Sequence, residues 1–269
     1  MKVIISHDID HLTVKEHLFK DAIVPKFVLR SIIELLNKKI SAREYLLRHK
    51  TLFENKWQNI EELMSFNKLN QIPATFFIGV NNGLGLAYNI KKAECWIKKI
   101  KENGFDIGVH GIAYKDYESI KKEYSDFQKI LSQNHFGIRT HYLRKTDKTL
   151  NLIEKTGYLF DSSTQEIKSP YKINNLWEFP VHIMDGYVIE NRKRWQTQTI
   201  EKAKKITLQQ IEFIRKQKIN YLTIIFHDRY FHDSFFTWKQ WYVWLIGYLK
   251  NNNFNFTSFA EAIKELENK

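Results

Sequence analysis

The sequence predicts an α/β fold whose parallel sheet closes into a barrel, and three observations predict it. Short β-branched and aromatic runs alternate with stretches of helical periodicity along the whole 269-residue chain. The number of such units suits a barrel better than a small open sheet. Residues that carry chemistry fall at the C-terminal ends of the apolar runs, where barrels of this kind gather their reactive groups: Asp8 and Asp10, His110, Arg139 and His141, Asp161, and His227. One such coincidence would be noise; five strand ends are a pattern.

The first strand carries most of the argument. Val3, Ile4 and Ile5 are too apolar for a half-exposed strand, and they run into Ser6-His7-Asp8-Ile9-Asp10-His11. In an extended chain Asp8 and Asp10 share one side and His7 and His11 the other. Two carboxylates brought together repel unless a cation or a proton transfer uses them. His7 and His11, pointing away from them, read as structural. The apolar stretch over residues 14–49 reads as helix, broken near Pro25 and Ser41, with Lys38-Lys39 closing one helix favourably for its dipole. A further helix over 60–69 leads to the second buried strand at 72–79. We therefore expect one domain over 1–269, with residues 14–70 as a helical insertion after the first strand.

The later elements follow in turn. A helix over 91–103 stops at Gly104, and a strand over 105–109 ends at His110. A helix over 117–133 precedes a short strand at 136–138 that runs into Arg139-Thr140-His141. Thr146 or Asp147 can cap a helix that ends at Gly157, before a strand at 158–160 ending in Asp161. A strand over 176–181 is followed by a turn at Asp185. A helix over 197–217 precedes the clearest strand, 221–226, which ends at His227; a helix over 235–249, a small strand near Phe254 and a last helix from Phe259 complete the chain.

Composition bounds the alternatives. Hydrophobic residues at 43% and aromatics at 14% supply a core and exclude disorder. The lone Cys95 excludes an internal disulfide and a Cys-rich zinc site. The N-terminus lacks the pattern of a secretion signal, and the run over 241–249 is too short to cross a bilayer, so the expected location is the cytoplasm. The net charge of +12 comes from lysines scattered over helical faces, without a recognised nucleic-acid motif. It reads as a solvated surface, with attraction to an anionic membrane surface or to phosphate-bearing substrates as the functional alternative.

Taken together these residues resemble the polysaccharide deacetylase family, carbohydrate esterase family four, whose fold is a distorted (β/α) barrel of about seven strands. The likeness covers most of the chain outside the helical insertion. Ser6-His7-Asp8-Ile9-Asp10 is similar to the family's first motif, which implies Asp8 as catalytic base and Asp10 as metal ligand. Ile72-Pro73-Ala74-Thr75-Phe76-Phe77 resembles its core strand. His110 matches the first histidine of the metal motif, Arg139 the arginine that braces the catalytic aspartate, and His227 the general acid that ends the last motif. The chain departs from the family where a second metal histidine should stand, since that place holds Tyr114, and where a proline should follow the arginine, since it reads Arg139-Thr140-His141. The third ligand is then His141 from a neighbouring strand end or, less favourably near neutrality, Tyr114; the remaining alternative is that no metal binds.

The resemblance implies hydrolysis of an N-acetyl or similar acyl group on a sugar, assisted by a divalent metal, zinc. Asp8 takes the proton of the attacking water, Arg139 keeps Asp8 ionised, and backbone N–H groups near Thr140 bind the oxyanion. Asp161 and Asp185 are candidates for substrate contact, although either can serve only as a cap or turn residue. Trp177, Trp195, Trp238 and Trp241 could stack on sugar rings, though packing is the commoner use. The expected partner is an acylated sugar, either a nucleotide sugar or a lipid-linked saccharide at the inner membrane face, in surface glycan biosynthesis. The alternatives are a metal-free, inactive saccharide-binding member of the same fold and a nucleic-acid-binding protein.

Overall fold

The computed structural model describes residues 1–18, 22–191 and 193–268; residues 19–21, within the first expected helical stretch, lie outside them. β1 (Lys2–Ile9) is followed by α1 (Ile23–Leu36), α2 (Ala42–Glu54), α3 (Ile60–Leu69) and β2 (Thr75–Ile78). Next come α4 (Ile90–Glu102), β3 (Asp106–Gly111), α5 (Tyr117–Leu131), β4 (Ile138–Thr140), α6 (Thr149–Thr156) and β5 (Phe160–Asp161). The chain then runs through β6 (Tyr171–Ile173), β7 (Leu176–Glu178), β8 (Ile183–Met184), α7 (Asp185–Glu190) and α8 (Ile200–Lys216). It ends with β9 (Tyr221–Ile225), α9 (Phe236–Asn251), β10 (Asn255–Phe256) and α10 (Phe259–Glu267). Among the described residues no helix is long and apolar enough to cross a membrane.

The expected barrel forms, and its closure has an identifiable cause. The parallel ladder runs β5-β4-β3-β2-β1-β9. The continuous segment containing β7 and β8 bridges its two ends, because β7 pairs with β5 and β8 with β9. Between them the Phe179 N–H donates to the Asp161 carbonyl at 2.9 Å and the His182 N–H to the Thr223 carbonyl at 3.0 Å. Pro180 stands where the segment changes partners and has no N–H to leave unpaired. Counting that segment once, β1, β2, β3, β4, β5, β7–β8 and β9 make seven staves. β6 adds an antiparallel hairpin to β7, and β10 pairs with the start of β1.

Alternation along the staves divides the core in two. Ile4, Phe77, Phe160, Phe179 and Tyr221 fill the barrel, and α10 seats Phe259 and Ile263 among them after a capping box at Ser258 and Glu261. Val3, Ile5, Ile9, Phe76, Ile78, Leu222, Ile224 and Phe226 face the surrounding helices. The ring of phenylalanines requires glycine beside it: a Cβ on Gly137 would lie 2.3 Å from Phe160 Cζ, and one on Gly108 2.6 Å from Phe77 Cε1. This apolar plug fills the N-terminal half of the barrel, so Ser6, Asp8 and Asp10 continue the inward row towards the opposite mouth.

Several local expectations are corrected. Pro25 does not break α1, because it lies in the first turn, where no intrahelical N–H is needed. Lys148 rather than Thr146 or Asp147 precedes α6, and the Thr149 hydroxyl instead accepts the Thr146 N–H at 2.8 Å. β6 was not expected, although Asn174, at φ 50°, supplies its turn. Trp177, Trp238 and Trp241 are buried, which removes them as sugar platforms, and Trp195 is half-buried away from the cavity described below.

Candidate functional site

The C-terminal mouth of the barrel opens into a cavity of about 410 Å3 lined by Asp8, Asp10, His110, His141, Asp185 and His227, with Tyr142, Tyr187, Glu190 and Tyr230 among its outer residues. The reactive groups arrive from five stave ends: Asp8 and Asp10 from β1, His110 from β3, His141 just after β4, Asp185 just after β8 and His227 just after β9. The register His110↔Arg139 between β3 and β4 places both side chains inside the barrel, as Ser6↔Ile225 does for the row that leads to Asp8 and His227.

Asp10, His110 and His141 form one cluster, and they could hold a metal ion. Asp10 Oδ1 lies 3.2 Å from His110 Nε2 and 3.4 Å from His141 Nδ1, and the two nitrogens are 2.9 Å apart. Their opposite ring nitrogens face carbonyl oxygens: His110 Nδ1 meets Arg139 O at 3.2 Å and His141 Nε2 meets Leu84 O at 3.1 Å. A carbonyl only accepts, so those nitrogens carry the protons. The inner nitrogens then present lone pairs to each other and to a carboxylate. Such a convergence is repulsive until a cation or an extra proton enters it. The spacings also match the edges of a zinc tetrahedron, about 3.3 Å for ligand bonds of about 2.0–2.1 Å. The donor set therefore fits a divalent ion.

Beside the cluster, Asp8 is buried against Arg139, whose Nη1 donates to Asp8 Oδ1 at 2.7 Å. The guanidinium is itself fixed, donating from Nε to the Ser162 carbonyl and from Nη2 to the Ser162 hydroxyl, both at 2.9 Å, and it stacks over Phe77 at 4.3 Å. Burial would raise the Asp8 pKa; Arg139, with His110 and His227, leaves it below its ordinary value, so Asp8 is ionised at neutral pH.

On the other side, His227 Nδ1 donates to Asp185 Oδ1 at 2.8 Å, and the His227 backbone N–H donates to Asp185 Oδ2 at 2.7 Å. The opposite nitrogen, Nε2, turns into the cavity, 3.8 Å from Asp10 Oδ2. Burial would lower the His227 pKa, but Asp185, followed by Asp10 and Asp8, holds it well above its ordinary value. His227 is thus a protonated donor across the cavity from an ionised Asp8.

The structure brings Asp8, Asp10, His110, Arg139, His141, Asp185 and His227 together and excludes others. Tyr114 is not among the residues that line the cavity. Asp161 and Thr140 are fully buried and line no part of the cavity. Their positions alternate with Phe160 and Arg139, which point inward, so both side chains face out of the barrel. Asp161 instead accepts from the Ser163 hydroxyl and N–H, beside Glu178. The Thr140 N–H is taken by the Ser163 hydroxyl at 2.8 Å, which removes it as an oxyanion donor. Asp185 spends its oxygens on His227 and the Gly186 N–H, so it positions the histidine rather than a sugar. His7 is a satisfied core residue between the Phe226 carbonyl and Asn67, and burial drives its pKa down to about 3. The wall residues Tyr142 and Tyr230 were missed; the one signal for them was their place just after His141 and His227.

No family model and no curated protein matches the chain. Solved structures do match it. A Mycobacterium smegmatis protein assigned as a polysaccharide deacetylase superposes with a TM-score of 0.65 at 15% identity, over 98% of this chain and 88% of its own. PuuE allantoinase gives a TM-score of 0.61 at 13% identity, over 97% and 87%. A Pseudomonas aeruginosa protein assigned as a polysaccharide deacetylase gives 0.58 at 15% identity, over 77% and 71%. The chain therefore has the polysaccharide deacetylase fold, a distorted (β/α) barrel.

Proposed function

We propose that the protein is a metal-dependent hydrolase that removes an N-acetyl or similar acyl group from a sugar. The observation that carries this reading is the convergence, in one cavity, of the Asp10, His110 and His141 ligand atoms with Asp8, braced by Arg139, on one side and His227, held by Asp185, on the other. Asp10, His110 and His141 would hold the ion, for which zinc fits the nitrogen-rich set. The chemistry available from a divalent ion there is polarisation of the acyl carbonyl and acidification of a water molecule. Asp8 accepts the proton from the attacking water, with Arg139 keeping the carboxylate charged and aimed. His227 delivers its Nε2 proton to the departing amine, so the C–N bond breaks without expelling an amide anion. Asp185 holds the imidazole by its other nitrogen.

The cavity falls within the range of small-molecule sites, about 300–1,000 Å3. It has room for a sugar unit, and the substrate we propose is an acylated nucleotide sugar or lipid-linked saccharide. Exposed Tyr142, its ring 3.9 Å from that of His141, offers a face on which the sugar can stack. The net charge of +12 supports a phosphate-bearing substrate in glycan assembly at the cytoplasmic side of a membrane. The metal-free binding alternative rests on Tyr114; what favours the metal reading is that His141 stands beside His110 and Asp10.

The decisive assay is acetate release from N-acetylated nucleotide sugars and lipid-linked saccharides, with zinc supplied and then chelated. Turnover that disappears with chelation is expected; metal-insensitive turnover, or none on any acylated sugar, refutes the proposal. A second prediction concerns pH. Activity should fall as pH rises through the elevated pKa of His227, because only the protonated form donates. Asp185→Asn removes the largest influence raising that pKa, so the alkaline limb should move to lower pH, with kcat down by about 10–100-fold. An unmoved limb would detach His227 from the proton transfer.

A further inference from the structure

The two helices between β1 and the barrel's first outer helix are packed inside out. α1 turns Phe27, Ser31 and Glu34 inward, where Glu34 accepts from Arg30 Nε at 2.8 Å, from Arg48 of α2, and from the Gln196 N–H at 2.6 Å. Its opposite face, 3.6-periodic with the first, is Pro25, Leu29, Ile32 and Leu36, with Leu29 58% and Leu36 76% exposed. α2 also buries Glu44 and Arg48 and turns Leu46 and Phe53 outward, Phe53 at 89% exposure, there interleaved with exposed Arg43, Lys50 and Glu54. A helix on an ordinary solvated surface puts its polar residues outside. An apolar face this continuous marks a contact surface.

Charge and position say what covers it. Of the three carboxylates on these helices, Glu34 and Glu44 are buried and Glu54 pairs with Lys50 at 3.3 Å. Lys38 and Arg43 are exposed just beyond the end of α1 and at the start of α2, on a chain of net charge +12. Two copies meeting through this face would bring like charges together, whereas an anionic lipid surface complements them. The helix also borders the catalytic mouth. Arg30 Nη1 lies 3.0 Å from Glu190 Oε1 and 3.4 Å from the Tyr230 hydroxyl, both in the cavity wall. Ile23 and rim residue Tyr142 both lie near Gly85, where an added Cβ would stand 3.4 Å from one and 3.5 Å from the other.

We infer that α1, with Leu29, Ile32 and Leu36 as its embedded face, docks the protein on an anionic phospholipid surface and holds the cavity mouth beside it. This specifies the membrane side of the proposed function, yet it can be tested without turnover. Vesicles of phosphatidylcholine containing about one third phosphatidylglycerol should sediment the wild-type protein, more weakly as salt rises, while pure phosphatidylcholine sediments at least about tenfold less. The variant Leu29→Ser/Ile32→Ser/Leu36→Ser should lose at least about tenfold in vesicle binding, keep its melting temperature to within a few degrees because Leu29 and Leu36 are mostly exposed and Ile32 is 36% exposed, and release acetate from a water-soluble substrate as before. Wild-type protein that stays in solution with the anionic vesicles, or binds neutral ones equally, overturns the inference. So does a lipid-free dimer that the triple variant dissolves, which would make a second copy the occupant. If vesicle binding holds and acetate release fails, the docking surface stands and the hydrolase reading falls.

Discussion

Protein purified with zinc available is expected to carry close to one equivalent of metal, and His110→Ala and His141→Ala should each reduce this to near zero. The reason is the protonation pattern. Both inner imidazole nitrogens are left without a proton because their outer nitrogens spend theirs on the carbonyls of Arg139 and Leu84. Removing one imidazole leaves two protein ligands, and zinc sites of the hydrolytic kind use three protein ligands with a fourth position open. Tyr114→Phe, by contrast, should leave metal content unchanged, since that side chain does not line the cavity. Elemental analysis of the four proteins settles the matter. A metal content unaffected by His141→Ala would remove His141 from the ligand set; no metal even with excess zinc would turn the fold into a binding scaffold.

The second large effect is expected at Asp8. Asp8→Asn keeps the shape of the side chain and an oxygen for Arg139 but cannot accept a proton, so kcat for acetate release should drop by about a thousandfold. Metal content and melting temperature should stay near wild type, because Asp8 is not among the ligands and its amide remains a partner for the guanidinium. Retention of more than a tenth of the activity would assign the proton to another group. A loss of metal together with activity would instead mean that Asp8 acts on the cluster.

Much of the site is legible in the sequence because its geometry is local to a strand. Asp8 and Asp10 are two residues apart, so any extended conformation puts them on one side, and the apolar run before them announces the strand. A place at a strand end is a weaker signal than the phase of the strand: Asp161 stands at one, yet it lines no part of the cavity. A one-residue shift reverses the face of a strand, and only the pairing of Ile138 with Asp161 shows that Phe160 and Arg139 are the inward members.

By itself the sequence determined the alternation of strands and helices, the barrel, and the gathering of acids and imidazoles at strand ends, since these depend on periodicity and on neighbours along the chain. Only the tertiary structure decided which partners meet. Asp185 reaches His227 through the parallel pairing of β8 with β9, across 42 residues of chain. His141 stands beside His110 and Asp10 because β3 and β4 lie side by side with His110 opposite Arg139. The apolar stretch now seen as α1 read as an ordinary covering helix, yet Arg30, Glu34 and Arg48 turn its polar face inward. Hydrophobic periodicity shows that a helix has two faces; which face is buried depends on charges that meet only after folding.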